Sequence, residues 1–175
     1  MSEPDGQLWP KEREFLYNAV REAKPQLVLE IGTWKGGGST LSIARALQDN
    51  GGGELWTCDA DAAMTETARE VHLGRPFVHC LNMRSGEMIA DMIRRKRIPD
   101  FLFFDGPEDE DTALWDFWAV ETNVKQGTVF MMHDFDHPSI KAAKIRPYLE
   151  GSMLWKITGQ LTTPDSVGLV KAVRV

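Results

Sequence analysis

The sequence predicts an α/β protein: a three-layer sandwich with a seven-stranded, mostly parallel sheet, helices on both faces and a C-terminal antiparallel hairpin. Three observations carry this. Short apolar runs alternate with helical apolar patterns, which implies parallel strands joined by helices. Gly32, Gly36, Gly37 and Gly38 follow the first apolar run directly. The last two apolar runs are separated only by the turn sequence Thr163-Pro164-Asp165-Ser166.

Trp9-Pro10 followed by Lys11-Glu12-Arg13-Glu14 reads as a helix start, with Phe15, Leu16, Ala19, Val20 and Ala23 on one face and Pro25 as its end. Gln26 to Ile31, bounded by Pro and Gly, is the first strand. Ser39-Thr40 can cap a helix carrying Leu41, Ile43, Ala44 and Leu47, which Asn50-Gly51-Gly52-Gly53 ends. Glu54 to Cys58 is the second strand, and Asp61 caps a helix to about His72. Phe77 to Leu81 is the third strand, and Ser85 to about Arg97 a helix. Asp100 to Asp105 is the fourth, apolar throughout its centre as a strand covered on both faces must be. A helix from Asp109 to about Asn123, a strand from Gly127 to Met132 and a helix from Pro138 to Leu149 follow. Leu154 to Gln160 and Val167 to Val173 form the hairpin.

At 175 residues the chain fits one domain, 1–175, with a core that needs no staples. A net charge of -6 argues against nucleic acid or an anionic membrane as the main partner. The dense basic run Arg94-Arg95-Lys96-Arg97 reads as a helix C-terminus suited to the helix dipole. Cys58 and Cys80 fall inside strands and read as core residues. The acidic start is no signal peptide and no apolar run reaches bilayer-spanning length, so a cytoplasmic location is expected.

In an open parallel sheet, ligands bind beyond the strands' C-terminal ends. Polar groups gather there: the turn Gly32 to Ser39, then Asp59-Ala60-Asp61, Asn82 to Ser85, Asp105 to Glu108, and His133-Asp134. The glycines let a ligand approach the backbone, and the helix behind them offers free N–H groups. The spacing is Glu-x-Gly-x-x-x-Gly rather than the Gly-x-Gly-x-x-Gly of dinucleotide binders. Asp59 stands where a carboxylate can accept both ribose hydroxyls of an adenosine. Asp61 fits a helix cap better.

Leu29-Glu30-Ile31-Gly32-Thr33-Trp34-Lys35-Gly36-Gly37-Gly38-Ser39-Thr40 resembles the first motif of class I S-adenosylmethionine-dependent methyltransferases. Phe101 to Gly106 resembles the "I-D-G" strand of one branch, and Gly127 to Asp134 its "G-G-x-x-x-x-H-D" strand. That branch includes small-molecule O-methyltransferases, some of them metal-dependent, on a Rossmann-like methyltransferase fold. The resemblance implies that Glu30, Gly32, Thr33, Trp34, Gly36, Gly38 and Ser39 lie by the cofactor's amino-acid end, with Trp34 covering it. It implies that Asp59 and Ala60 hold the ribose, that Arg84 and Ser85 lie near the adenine, and that Asp105 lies near the methionine amino group or a metal. Two departures stand out. Asn82-Met83-Arg84-Ser85 lacks the family's acid, and Asp105-Gly106-Pro107-Glu108 lacks the histidine of "D-G-D-H".

The expected reaction is methyl transfer to a small-molecule hydroxyl. His133 and Asp134 are the candidate catalytic pair, because histidine titrates near neutrality. Mg2+ is the second option, held by Asp105 and Asp134 with His133, Glu108 or waters. The chain has no insertion to cover the substrate, so either a large substrate binds an open face or a second subunit of a homodimer supplies the cover. Six tryptophans are many for this length; Trp115 and Trp118 read as core or interface. The rival readings are a non-catalytic cofactor-binding or assembly protein and an NAD-dependent oxidoreductase. The latter lacks its glycine signature.

Overall fold

A computed structural model describes residues 6–107, 109–138, 140–162 and 167–175. The expected turn at 163–166 and the candidate ligand Glu108 lie outside the described residues. The strands are β1 (Leu27–Ile31), β2 (Glu54–Asp59), β3 (Val78–Asn82), β4 (Phe101–Phe104), β5 (Val129–His133), β6 (Trp155–Leu161) and β7 (Leu169–Arg174). The helices are α1 (Pro10–Ala23), α2 (Ser39–Asn50), α3 (Ala62–Val71), α4 (Ser85–Arg94), α5 (Glu110–Glu121) and α6 (Ala142–Gly151). They build one sheet in the order β3-β2-β1-β4-β5-β7-β6. The first five strands are parallel, and β7 is antiparallel to both β5 and β6.

Strand alternation sorts the core into two layers. In β4, Phe101 and Phe103 face α1 and α2, packing with Leu16, Val20, Ile43 and Leu47. Leu102 and Phe104 face α4, α5 and α6, packing with Met88, Phe117 and Ile145. All four β4 side chains are fully buried. Burying a side chain of this size stabilises the fold by roughly 1.5–3 kcal/mol. Cys58 and Cys80 are free and buried, as core residues should be.

Several ends differ from expectation. Ala23 is exposed, off the buried face of α1. α4 stops at Arg94 because Lys96 takes a left-handed φ of 56°. α6 begins at Ala142 rather than Pro138, since Ile140 at φ 54° cannot continue a helix through it. Trp115 is 67% exposed, whereas Trp118 packs on the core. In the basic run, Arg94 and Arg95 pair with Asp91, and Arg97 pairs with Glu54 at 2.9 Å. That fits a solvated helix end. No helix among the described residues is long and apolar enough to cross a membrane.

Candidate active site

A cleft of about 490 Å3 opens beyond the C-terminal ends of β1, β2, β3 and β4. Of the residues expected to bind a cofactor, Gly32, Trp34, Asp59, Ala60, Arg84, Ser85 and Asp105 line it. Gly32, at φ 96°, passes against β4: a Cβ there would lie 3.0 Å from the Asp105 carbonyl carbon. The Gly32 and Thr33 N–H groups both donate to the Cys58 carbonyl at 3.1 Å. Trp34 is left-handed too, at φ 46°, and its N–H donates to Asp59 Oδ2 at 2.8 Å. Asp59 Oδ1 accepts the Asp61 N–H at 2.9 Å. Asp59 thus ties the glycine turn to the end of β2 while keeping a face on the cleft. Asp61 itself caps α3, accepting from the N–H groups of Ala63 and Met64.

Of the other turn residues expected by the cofactor's amino-acid end, Glu30, Thr33, Gly36, Gly38 and Ser39 lie behind this wall. Thr33 is buried with its hydroxyl on Thr57. Gly36 packs on α3, where a Cβ would lie 3.0 Å from Ala68, and its carbonyl accepts from His72 Nε2 at 2.8 Å. Burial pushes the His72 pKa down, so the ring is neutral and this contact is structural. Gly38 meets Gly6, whose Cβ would come within 2.4 Å of the Gly38 Cα. Ser39 is buried at the start of α2. Glu30 is sealed beneath the turn and accepts from the Thr40 hydroxyl at 2.7 Å.

His133 and Asp134 also sit outside the cleft lining, behind Asp105. His133 Nδ1 is 3.0 Å from Asp105 Oδ1 and 3.2 Å from Asp134 Oδ1; its Nε2 is 3.4 Å from Glu12 Oε1. Burial alone would lower the pKa of His133. The carboxylates of Asp105, Asp134 and Glu12 outweigh it and raise the pKa to about 12. Asp134 is left-handed at φ 61°, and its outer oxygen takes the Nζ of the fully buried Lys141. Burial would raise its pKa; His133 and Lys141 win and lower it to about 2. Both ring nitrogens of His133 face carboxylates, which favours the protonated ring over the free base. Asp105, His133 and Asp134 each offer one ligand atom, all within 4.8 Å of one another.

Sequence reasoning missed Glu12 and Lys141. Glu12 signalled only a helix start, which it also serves by accepting the Trp9 N–H at 2.9 Å. Lys141 gave no signal. Gln7, Met83, Pro107, Asp109 and Thr112 complete much of the lining.

Residues 29–135 match the family described as Methyltransferase domain. The chain belongs to this family. The matched span holds every strand end that lines the cleft, while Gln7, Glu12 and Lys141 lie outside it. The fold of this methyltransferase is similar to that of the O-methyltransferase from Bacillus cereus in complex with SAH. The two are 20% identical with a TM-score of 0.81, over 99% of this chain and 84% of the other. It is also similar to the O-methyltransferase TomG from Streptomyces achromogenes, involved in tomaymycin synthesis and solved with SAM. There the identity is 21% and the TM-score 0.80, over 98% of this chain and 83% of that one. A methyltransferase from Geobacter sulfurreducens is 18% identical with a TM-score of 0.75, over 96% and 80% of the two chains. No curated protein matches the sequence.

Proposed function

We propose that this methyltransferase uses S-adenosylmethionine to methylate a hydroxyl of a small molecule. The observation that carries the reading is one cleft walled by Gly32 and Trp34, Asp59, Ser85 and Asp105, from four neighbouring strand ends. Its polar groups match the cofactor's parts: a carboxylate beside the glycine turn for the ribose hydroxyls, and Asp105 toward the charged amino-acid end. Two structural neighbours, solved with SAH and SAM, support the same choice.

The bound cofactor supplies a methyl group on a positive sulfur: the acceptor oxygen forms the new O–C bond while the S–C bond breaks toward sulfur. The chain must hold the acceptor in line and receive its proton. Asp105 is the member of the charged cluster that faces the cleft, and we assign it the proton. His133 and Asp134 then act behind it, fixing its carboxylate. Asp105 Oδ1, His133 Nδ1 and Asp134 Oδ1 also make a nitrogen-and-oxygen donor set that fits a divalent cation in place of the Nδ1 proton. Such an ion would lower the pKa of a coordinated hydroxyl.

Calorimetry with S-adenosylhomocysteine tests the reading. Wild type is expected to bind at micromolar concentrations, and Asp59→Ala to bind at least tenfold more weakly. Repeating the titration with Mn2+ and with a chelator reports on the cation site, where Asp134→Ala is expected to abolish any Mn2+ response. Absence of binding in wild type, or NADH binding in its place, overturns the proposal. Binding with no turnover across a panel of phenols, sugars and amines favours a non-catalytic role.

A further inference from the structure

Lys141 is fully buried, and lysine is almost never so unless it is paired. Its ammonium meets Asp134 Oδ2. Lys144, one helical turn further along the chain, shows the ordinary arrangement: a partly exposed lysine on the exposed carboxylate of Asp111. Surface pairs of that kind contribute little and cost little. Taking an ammonium wholly out of water costs several kcal/mol before any partner is counted, so a buried lysine needs a stronger reason. Lys141 also stands outside residues 29–135, the span that matches the methyltransferase family.

The loop between β5 and α6 is bent to bring this pair together. Asp134 opens it at φ 61°, and Ile140, directly before Lys141, has φ 54°. A β-branched residue is a genuine outlier there, and such backbone persists only where its surroundings hold it. Phe135 and Ala142, just inside and just beyond the bends, are both buried. Asp134 is thereby divided. Its Oδ2 takes the ammonium, and its Oδ1 faces His133 Nδ1 at 3.2 Å. The same nitrogen is 3.0 Å from Asp105 Oδ1, which belongs to the cleft wall. One oxygen of Asp134 is therefore left for the donor set, and a fixed positive charge stands on the other. A divalent ion on Oδ1 would share its carboxylate with that ammonium. Like charges repel, and a site this deep is screened far less than the surface.

We infer that Lys141 is a tethered cation built into the charged end of the cleft: it holds Asp134 in place without a divalent ion and weakens the site's affinity for one. The inference rests on the S-adenosylmethionine reading and on the donor set of Asp105, His133 and Asp134 described above. Lys141 is a positioning residue, acting on the cleft through Asp134, His133 and Asp105. Cofactor binding then does not depend on metal. A merely structural lysine would stabilise the loop and leave ion affinity alone.

The test first follows Mn2+ binding with no cofactor present, by loss of the free ion's electron paramagnetic resonance signal. Lys141→Met removes the charge and keeps an apolar side chain of similar length. It is expected to bind Mn2+ about tenfold more tightly than wild type, or better, whereas Lys141→Arg stays close to wild type. Calorimetry then measures S-adenosylhomocysteine affinity in chelator and in Mn2+. Wild type is expected to bind equally in both; Lys141→Met is expected to lose about fivefold in chelator and to recover in Mn2+. Lys141→Gln takes its place should Lys141→Met fail to fold. Unchanged or weaker Mn2+ affinity in a folded neutral variant overturns the inference, as does wild-type binding of S-adenosylhomocysteine that requires Mn2+. A loss of S-adenosylhomocysteine affinity that Mn2+ does not restore makes Lys141 merely structural and overturns it too. If wild type binds no S-adenosylhomocysteine under either condition, the cofactor reading falls, and the Mn2+ comparison still decides this inference.

Discussion

Glu30 is a carboxyl group in the wrong solvent. Fully buried, it has its pKa pushed by burial from 4.5 to about 7, although the hydroxyls of Ser39, Thr40 and Thr57 pull it down. The folded state therefore binds a proton that the unfolded chain has released, so this group's stabilisation is complete below pH 4.5 and is lost as pH rises through 7. The loss amounts to about 3 kcal/mol. Glu30→Gln should flatten it: between pH 5 and 8 the urea midpoint of wild type should fall more than that of the variant. Parallel pH profiles would refute the assignment. Gly6 offers a steric counterpart. Its missing side chain lets the segment before α1 lie on Gly38, held by Arg13 donating to the carbonyls of Gly6 and Leu8. In Gly6→Val that segment must lift, taking the cleft residue Gln7 with it. The expected result is weaker S-adenosylhomocysteine binding with a melting temperature within a few degrees of wild type; undiminished affinity would show that Gln7 does not matter.

At the level of elements, the cap of α3 makes a clean case. Asp61→Ala removes an acceptor from two N–H groups and should cost about 1 kcal/mol. For a chain of this size that lowers the melting temperature by about 2–4 °C, measurable by scanning calorimetry; a shift of zero would mean water replaces the cap without cost. This cap was legible because one residue type and its position decide it. Strands were legible for a similar reason: apolar runs such as Leu102-Phe103-Phe104 can be buried on both sides only in the middle of a sheet. Helix ends were less so, because Lys96 and Ile140 adopt left-handed backbone that their side chains do not favour. The charged cluster was legible only in part. Asp105, His133 and Asp134 sit at predicted strand ends, but Glu12 arrives from α1 and Lys141 from the start of α6, elements that pack on opposite faces of the sheet. Glu12 reaches His133 and Lys141 reaches Asp134 only through tertiary packing, and no short-range pattern encodes it. The same holds for the glycine turn, whose motif marks the cleft but whose glycines at 36 and 38 serve packing against Ala68 and Gly6.

The whole molecule depends on the order in which its sheet closes. β7 enters between β5 and β6, and Leu169, Val170 and Ala172 are fully buried there. The sequence predicted the hairpin but not its order; in the structure Leu169 and Val170 are buried, while Trp155 to Leu161 alternates in burial like an edge. Removing residues 155–175 should uncover Phe130 and Phe117, which pack on Trp155 at ring separations of 5.9 and 5.7 Å. The shortened chain is expected to lose its cooperative thermal transition by near-ultraviolet circular dichroism; a retained transition would mean that the parallel strands suffice. The inserted strand also sets a clock. β5, which ends in His133, finds its outer neighbour only in β7, made after β6. At roughly 5–20 residues per second, a ribosome delivers β7 about 2–8 s after β5. For those seconds β5, paired with β4 on one side, presents an open apolar edge to the cell. Synthesis speed over residues 134–174, and whatever chaperone waits at that moment, should therefore govern the yield of folded protein more than any change at the cleft.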